Sequence, residues 1–449
     1  MFDDPNLVSW AGLVPVMSLA RSAGLDGLAD QHLSVPADKG ANAGLKVTSL
    51  VAGMVAGADS IDDMALLRHG GMDRIFDDAY APSTLGSFLR SFTFGHVRQL
   101  DAVAARFLVG LGEATPVVAG ADDQIMVDVD DSVFEVHGHA KQGAGYGYSG
   151  VHGLNALLAT VTTQDAAPVI VAQRLRKGSA ASVRGAGRLV ADALSVVSKL
   201  RSRHPNGKVL VRGDSAFYAR GVVRTAVRAG AQVSVTVSLD TKVKAAIASI
   251  GEDAWQTIDY TDAVFDDATG RWISRAEVAE IGFTAFSSKP CCDQVPGRLV
   301  VRRIPDLNTK PGQGTLFDTW RFHPFFTTST ADTVTADKTH RQHAVIEQVH
   351  ADLKNSALAH LPSGKFCANA AWLVLAVMAF NLTRAAATMA GHGLTKATTA
   401  TIRRKLITVP ARTASSARRL TLHLPRGWPW QTAWTTLFTR VCGPPAAAT

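Results

Sequence analysis

The chain has 449 residues, of which 47% are hydrophobic and 19% are charged. Its length allows about three domains, and its globular composition excludes a chain that is disordered throughout. Four cysteines without a Cys-x-x-Cys pair exclude a disulfide scaffold and disfavour a cysteine zinc site. The first residues lack the basic-then-apolar order of a signal peptide, so we expect a cytoplasmic protein.

The formal net charge is +8, and the excess of positive charge lies at the C-terminal end. Twelve lysine or arginine residues follow Asp352, and no aspartate or glutamate does. Such a segment favours a polyanionic partner, usually nucleic acid, although solubility or an anionic membrane could also account for it. Trp428, Trp430 and Trp434 lie among these basic residues, where their rings either stack on bases or anchor the segment to the core.

Residues 1 to about 115 show apolar residues at helical spacing. A compact helical region suits DNA binding, and it suits packing or dimerisation equally well. From residue 124 the pattern changes, and apolar runs at 125–136, 154–163 and 169–175 predict a three-strand antiparallel meander. Helix, strand, helix and strand patterns then follow up to about residue 240.

This order of elements is that of a ribonuclease-H-like sheet, which lacks here only its final helix. Strand-like runs separated by turn residues fill 255–328, and the helix then arrives at 340–355. The apolar run 370–380 is shorter than the roughly 20 residues that span a bilayer, so we expect a buried core helix at about 368–389 and no membrane partner.

We therefore predict an α/β fold with a ribonuclease-H-like mixed sheet, flanked by helices and interrupted by a β-rich insertion. A helical N-terminal domain and a basic C-terminal segment complete it. The expected units are a DNA-binding helical domain (1–115), the first part of the catalytic core (116–240), the β-rich insertion (241–330), the last part of the core with its glutamate-bearing helix (331–390) and a basic DNA-contacting or dimerisation segment (391–449).

Carboxylates stand out at three places on these elements. Asp128 and Asp130 share one face of the first strand, whereas Asp131 opposes them. Asp214 directly follows a short apolar strand, and Glu347 lies inside the late helix. Taken singly, each has an ordinary explanation as a cap, a turn or a solvated residue. Together they suit Mg²⁺ or Mn²⁺ in a two-ion site that acts on phosphorus.

The late helix also carries a polar stripe, consisting of His340, His343, Glu347, His350 and Lys354 at alternating steps of three and four residues. Apolar residues line the adjacent face, so we predict that the helix is packed and that the stripe points into a cleft. Glu347 and His350 match the Glu-x-x-His of di-iron bundles, but the second copy that such a site requires is absent from the sequence.

Long strings in the chain resemble the DDE transposases of bacterial insertion sequences, and the nearest group is the one numbered thirteen-eighty in the "insertion sequence four" superfamily. The strings are VDVDDSVFEVHGHAKQGAGYGYSGVHGLNALLATV from 127, VRGDSAFYARGVVRTAVRAGAQVSVT from 211 and HAVIEQVHADLKNSALAHLPSGKF from 343. The resemblance implies that Asp130, Asp214 and Glu347 are the catalytic, metal-binding residues, with Asp128 as a further candidate ligand.

The superfamily signature Tyr-x2-Arg-x3-Glu-x6-Lys is kept here only at Glu347 and Lys354. His340 and His343 hold the Tyr and Arg places, with Arg341 beside them. Candidate DNA contacts are Lys354, Arg341, His343, His340, Arg184, Arg403, Arg404, Lys405, Arg418 and Arg419. Some relatives stack an aromatic side chain of the insertion on a flipped base, which makes Trp320, Trp272 and Trp255 candidates here.

The resemblance implies cleavage at the transposon ends with two Mg²⁺ ions per active site, for which Mn²⁺ substitutes, followed by attack of the freed 3′-hydroxyl on target DNA. The expected partners are double-stranded DNA, as terminal inverted repeats and as target, and a second copy of the chain in the synaptic complex. The expected location is the bacterial cytoplasm, at the nucleoid. Two alternatives remain: a nuclease of the same fold without strand transfer, and a catalytically inactive DNA-binding repressor derived from a transposase.

Overall fold

The fold is that of a computed structural model, which describes residues 1–76, 79–138, 140–147, 149–201, 207–266, 271–305, 320–416 and 419–444. A short strand, β1 (Leu7–Val8), precedes a group of helices. These helices are α1 (Leu13–Ser22), α2 (Leu25–His32), α3 (Ala37–Gly40), α4 (Ala43–Ala56), α5 (Met72–Ile75), α6 (Pro82–Arg90) and α7 (Phe94–Ala114).

The ends of these helices follow local sequence signals. Pro82 occupies the first turn of α6, where its missing N–H costs nothing. Thr93 and His96 form a capping box at the start of α7. The buried face of α7 recurs at steps of three and four residues, which fixes the side that turns to the core.

The central sheet begins with the predicted meander, which the structure confirms. Strands β2 (Gln124–Glu135), β4 (His152–Thr162) and β5 (Val169–Lys177) pair antiparallel in sequence order, and the two-residue β3 (Gly145–Tyr146) also pairs with β4. Strand β4 is buried along almost its whole length, because it lies between two neighbouring strands and beneath helices.

The next elements alternate between helix and strand: α8 (Ala186–Leu200), β6 (Lys208–Gly213), α9 (Arg220–Arg228), β7 (Gln232–Thr236) and α10 (Thr241–Ala248). Strand β6 pairs parallel with β2, and β7 pairs parallel with β6. The order β5–β4–β2–β6–β7 is compatible with the predicted ribonuclease-H-like core.

Four further strands extend the same sheet beyond β7. They are β8 (Gln256–Asp266), β9 (Arg271–Ala285), β10 (Val295–Pro305) and β11 (Trp320–Thr327). Strand β11 pairs antiparallel with β7, and the order continues as β10, β9 and β8. The strand-like runs of the region 255–328 thus form one continuous sheet with the core.

The late helix is divided in two, whereas the sequence predicts one helix over 340–355. Helix α11 (Thr333–Arg341) and helix α12 (Val345–Lys354) are separated by a 3₁₀ turn at Gln342–Ala344. A 3₁₀ turn has three residues per turn rather than 3.6, so it changes the direction in which successive side chains point. The two histidines before Glu347 consequently contact different strands.

Helix α13 (Phe366–Ala390) is the predicted core helix, and nearly all of it is buried. Its length and apolar composition would suit a membrane span, but it packs inside the protein against α7, α4 and β5. Two asparagines lie on it, and Asn381 bonds to the backbone N–H and C=O of Ile170 in β5 at 2.9 and 2.8 Å.

The C-terminal elements that the structure describes lie beside the N-terminal ones. After α14 (Thr399–Ile402) and a π-helical turn (Arg403–Ile407) come β12 (Ala411–Ser416), β13 (Arg419–His423) and α15 (Gln431–Cys442). Strand β12 pairs with β1, and α15 packs on α13 and α1. The basic C-terminal segment therefore lies against the N-terminal helices.

Candidate active site

Two of the predicted carboxylates are brought together by the parallel pairing of β2 with β6. Val129 of β2 lies opposite Gly213 of β6 in this register. Asp130 and Asp214 are the residues that directly follow this pair, so they lie side by side. Asp214 also caps the short 3₁₀ turn that follows, since its Oδ1 accepts a hydrogen bond of 2.9 Å from the N–H of Ala216.

The electrostatics of this pair favour a bound cation. Burial raises the pKa of Asp130 to about 7, and the charge of Asp214 acts in the same direction, while the backbone at Asp131 and the nearby His343 oppose it. Burial also raises the pKa of Asp214. Asp130 is half-buried and Asp214 is exposed at the end of its strand. Both are hard oxygen donors suited to Mg²⁺ or Mn²⁺, whose charge would favour their ionised forms.

Glu347 lies on the helix that covers Asp130. His350, one turn further along α12, has its Nε2 3.7 Å from Oδ2 of Asp130, which places the helix over β2 at this point. Glu347 itself is exposed in the first turn of α12. Within the described residues no three His, Cys, Asp or Glu side chains lie close enough to hold an ion, so the structure gathers two carboxylates and leaves the third nearby.

Asp128 is engaged in a buried ion pair and is not open to an ion. Nε of Arg212 donates to its Oδ1 at 2.7 Å, and Nη2 donates to its Oδ2 at 2.8 Å. His343 Nδ1 lies 3.0 Å from Oδ1. Burial acts to raise the pKa of Asp128, but the charge of Arg212 and these hydrogen bonds outweigh it and hold the pKa below its usual value.

This arrangement corrects the interpretation of Asp128 as a further metal ligand, since its oxygens already serve Arg212 and His343. Sequence reasoning did not single out Arg212. A signal was present, because an arginine inside the apolar strand 208–213 needs a buried partner. Arg212 also donates to the carbonyl of Thr339, so the ion pair ties β2 and β6 to the end of α11.

Residues 1–443 match the model of the family described as transposase DDE domain group 1. The chain belongs to this family. No curated protein matches the chain.

In this DDE transposase family member, His350 and Lys354 of the polar stripe contact β2, whereas Glu347 is exposed and His340 contacts other strands. Lys354 Nζ donates to Oγ of Ser132 at 2.6 Å and lies 5.4 Å from the ring centre of Phe134. Burial lowers the pKa of Lys354. Burial and the charge of Lys354 lower the pKa of His350 to about 4, so this ring is neutral at physiological pH.

His340 is placed differently from the expectation of a DNA contact. Its ring stacks on Phe325 with 4.1 Å between centroids, and its two nitrogens lie 2.9 and 3.0 Å from the hydroxyls of Ser234 and Thr236. Burial lowers its pKa to about 3, so it offers no positive charge to a phosphate. Arg341 donates from Nε to Asp337 at 2.9 Å.

The aromatic candidates surround an arginine of β10. The guanidinium of Arg303 lies 4.2 Å from the ring centre of Trp255 and 4.4 Å from that of Trp320. One face of each ring is therefore covered by Arg303, which Glu252 and Glu277 hold in place. The side chain of Trp272 lies outside the described part of the chain.

The remaining basic candidates lie on other elements than β2, β6 and the late helix. Arg184 is exposed in the turn before α8. Burial lowers the pKa of Arg403, whereas Arg404 and Arg419 are exposed and Lys405 is partly exposed. Arg418 lies outside the described residues.

Proposed function

We propose that the chain is a transposase that cleaves DNA at transposon ends and transfers the freed strand to target DNA, within the group numbered thirteen-eighty. The observation that carries this proposal is the pairing of Asp130 with Asp214 under the helix that bears Glu347. In an enzyme of the DDE transposase family, which generally uses divalent metal ions, these three carboxylates would hold Mg²⁺ or Mn²⁺, with two ions per site.

The ions would supply charge stabilisation at the phosphorus centre. The chain itself positions the carboxylates: β2 and β6 fix Asp130 and Asp214, and the buried pair of Arg212 with Asp128 anchors the segment that leads into α12. Lys354, beside Ser132 at the same edge, would bind a DNA phosphate near the site. We further propose that His343, Arg341, Arg184 and the basic residues at 403–405, 418 and 419 lie along the DNA.

We extend the proposal to the domains and partners. The helical residues 1–115 would bind the terminal inverted repeats, and two copies of the chain would bring the two ends together at the cytoplasmic nucleoid. Trp255 and Trp320 would stack on a flipped base only through the ring faces that Arg303 leaves uncovered.

The test is a cleavage and strand-transfer assay on DNA that carries the element's own ends, with Mg²⁺ or Mn²⁺. We expect nicked and joined products from the wild type and from Glu113→Gln, which removes an exposed carboxylate on α7. We expect neither product from Asp130→Asn, Asp214→Asn or Glu347→Gln. Specific binding without cleavage by the wild type would favour the inactive repressor, and nicking without joining would favour a nuclease.

A further inference from the structure

Helix α15 exposes a polar face that its own packing does not use. Ala433, Trp434 and Leu437 are buried on the opposite side, where the helix packs on α13 and α1. The outward face carries the exposed residues Gln431, Thr432, Thr435 and Thr439. Arg440, at the edge of this face, is also exposed, but its Nη1 donates to the carbonyl of Met389 at 2.9 Å. The buried side fixes the rotation of the helix, so this face must point to solvent or to a partner.

A basic and aromatic turn lies at the start of this helix. The ring of Trp430 is 5.5 Å from Nζ of Lys405 and 5.9 Å from the guanidinium carbon of Arg404. Trp428 packs edge-on against Trp430 and donates from Nε1 to the carbonyl of Lys405 at 3.3 Å. Two cations are thus held beside the first turn of α15.

The outward face lines a shallow, open depression of about 670 Å³, which is bordered by Trp428, Pro429, Gln431, Thr432, Thr435, Thr436, Thr439 and Arg440. Its lining contains no carboxylate, and no acidic residue follows Asp352 in the chain. The charge therefore favours a polyanion. Several of the groups in the lining are nevertheless uncharged hydrogen-bonding side chains, which a site that only attracts phosphates would not need.

Hydroxyl, amide and guanidinium groups are those that recognise base edges in the major groove, which is about 12 Å wide and admits one α-helix. At about 1.5 Å per residue, α15 is long enough to cross it. Lysine and arginine at one end of such a helix reach flanking phosphates, which position the protein without reading sequence.

We propose that the outward face of α15 reads the sequence of duplex DNA from the major groove, while Arg404 and Lys405 bind the adjacent phosphates. This inference rests on the proposed function, because it gives α15 a part in recognising the element's ends, beside that of residues 1–115. It goes further in separating that recognition from the carboxylate site, from which α15 is distinct in sequence and in packing.

The test compares binding of the full chain to a duplex of the element's own end and to a scrambled duplex of the same composition, by fluorescence anisotropy. Thr432→Ala with Thr435→Ala removes two exposed hydroxyls from α15. The matched control, Ser195→Ala with Ser198→Ala, removes two exposed hydroxyls from α8 at the same spacing. Alanine is the best helix former, so both double variants should fold.

We expect the α15 variant to lose roughly tenfold or more of its preference for the true end, since each good base contact contributes about that much discrimination. Its affinity for the scrambled duplex should not change, and the control should match the wild type. Arg404→Ala with Lys405→Ala should instead weaken binding to both duplexes and reduce the dependence on salt.

An α15 variant that keeps the full preference would overturn the inference, and the transposase would stand if the same preparation still cleaves the ends. A variant that keeps its preference but changes from dimer to monomer in light scattering would overturn it in favour of a subunit contact. A wild type that neither prefers nor cleaves the ends would overturn the proposed function, and the inference with it.

Discussion

At the scale of single residues, the candidate site depends on the buried ion pair of Asp128 with Arg212. Asp128 and Arg212 are both almost fully buried, and their two hydrogen bonds leave no carboxylate oxygen for water. Compared with apolar side chains, a buried ion pair of this kind adds little net stability. Each partner nevertheless compensates the buried charge of the other, so removing one of them is costly. His343 shares the same carboxylate and lies close enough to Asp130 and Asp214, the proposed metal ligands, to act toward lowering the pKa of both.

Replacing Arg212 with methionine should therefore be strongly destabilising. The change keeps the approximate volume but leaves the buried charge of Asp128 without Arg212, and breaking a buried pair in this way costs about 3–5 kcal/mol. The measurement is the free energy of unfolding in urea. The control is Arg412→Met, because Arg412 pairs with Asp4 on the surface and such pairs contribute about 0–1 kcal/mol. Equal losses in the two variants would contradict the account of the buried pair.

The raised pKa of Asp130 predicts how stability depends on pH without metal. Because its pKa rises from 3.8 to about 7 on folding, the folded protein holds this proton more tightly than the unfolded chain does. The contribution of Asp130 to the free energy of unfolding is therefore favourable at low pH and is lost as the pH rises through about 4 to 7. We expect Asp130→Asn to remove that loss, as measured by urea unfolding in EDTA from pH 4.5 to 7.5.

Divalent metal should reverse this loss at neutral pH, since it binds the ionised carboxylates. Added Mg²⁺ should stabilise the wild type more at pH 7.5 than at pH 5 and should have little effect on Asp130→Asn. A wild type and a variant with identical pH profiles, with and without Mg²⁺, would show that Asp130 is an ordinary solvated carboxylate.

The sequence allowed Asp130 and Asp214 to be predicted as neighbours, because strand order and family resemblance both pointed to them. The sequence did not show that Asp128 has a different role from these two residues. The alternation of side chains along a strand places Asp128 and Asp130 on one face, but it gives no information about Arg212, the partner of Asp128 that lies 84 residues away. His340 illustrates the same limit, because its environment is set by Ser234, Thr236 and Phe325 on strands distant in sequence.

At the scale of elements, α13 links the helices to the edge of the sheet. Strand β5 pairs with β4 on one side, and Asn381 of α13 satisfies both backbone groups of Ile170 on the other. The asparagines that border the apolar run in the sequence therefore have a structural explanation. Asn369 acts similarly, bonding to the backbone of Ser363 in the turn before the helix.

Asn381→Leu should weaken this contact without reducing apolar burial. It leaves the N–H and C=O of Ile170 buried without partners, at a cost of about 1–3 kcal/mol for each unsatisfied group. Denaturation should show the loss, and hydrogen exchange should be faster at the amide of Ile170. Asn355→Leu, at an exposed asparagine, should change stability by no more than about 0.5 kcal/mol. Unchanged exchange at Ile170 would disprove the role of Asn381.

Periodicity predicted the strands and helices of the core, and it predicted that the late helix is packed. It did not predict the 3₁₀ turn that divides this helix, because the turn lets His340 and His343 reach different strands, and those contacts are tertiary. The local pattern of apolar residues predicts which face of the helix is packed, whereas contacts with the strands of the sheet determine where the helix bends.

At the scale of the whole molecule, the two ends of the chain form one packed unit. Gly12 at the start of α1 donates its N–H to the carbonyl of Ile407 at 3.2 Å, and β1 pairs with β12. A Cβ at Gly12 would lie 1.8 Å from the carbonyl oxygen of Leu406. The sequence showed only a basic tail, because contacts between residues about 400 apart leave no local pattern.

Gly12→Ala should consequently disrupt the junction between the ends. Overpacking against backbone costs about 1–3 kcal/mol, so the temperature of unfolding should fall. The matched control is Gly27→Ala in α2, where a Cβ meets nothing within 4 Å and alanine should stabilise the helix by about 1 kcal/mol. Differential scanning calorimetry measures both variants, and a fall in the control equal to that in Gly12→Ala would contradict the close approach.

The central claim is that Asp130, Asp214 and Glu347 form a single site for divalent metal. The most direct test of this claim is to measure Mn²⁺ binding by electron paramagnetic resonance, because the measurement needs no DNA and no turnover. We predict that Asp130→Asn, Asp214→Asn and Glu347→Gln each weaken binding at least about tenfold, since affinity follows the number of charged ligands, while Glu113→Gln binds like the wild type. Mn²⁺ binding of wild-type strength in a protein that carries both aspartate substitutions would contradict the claim.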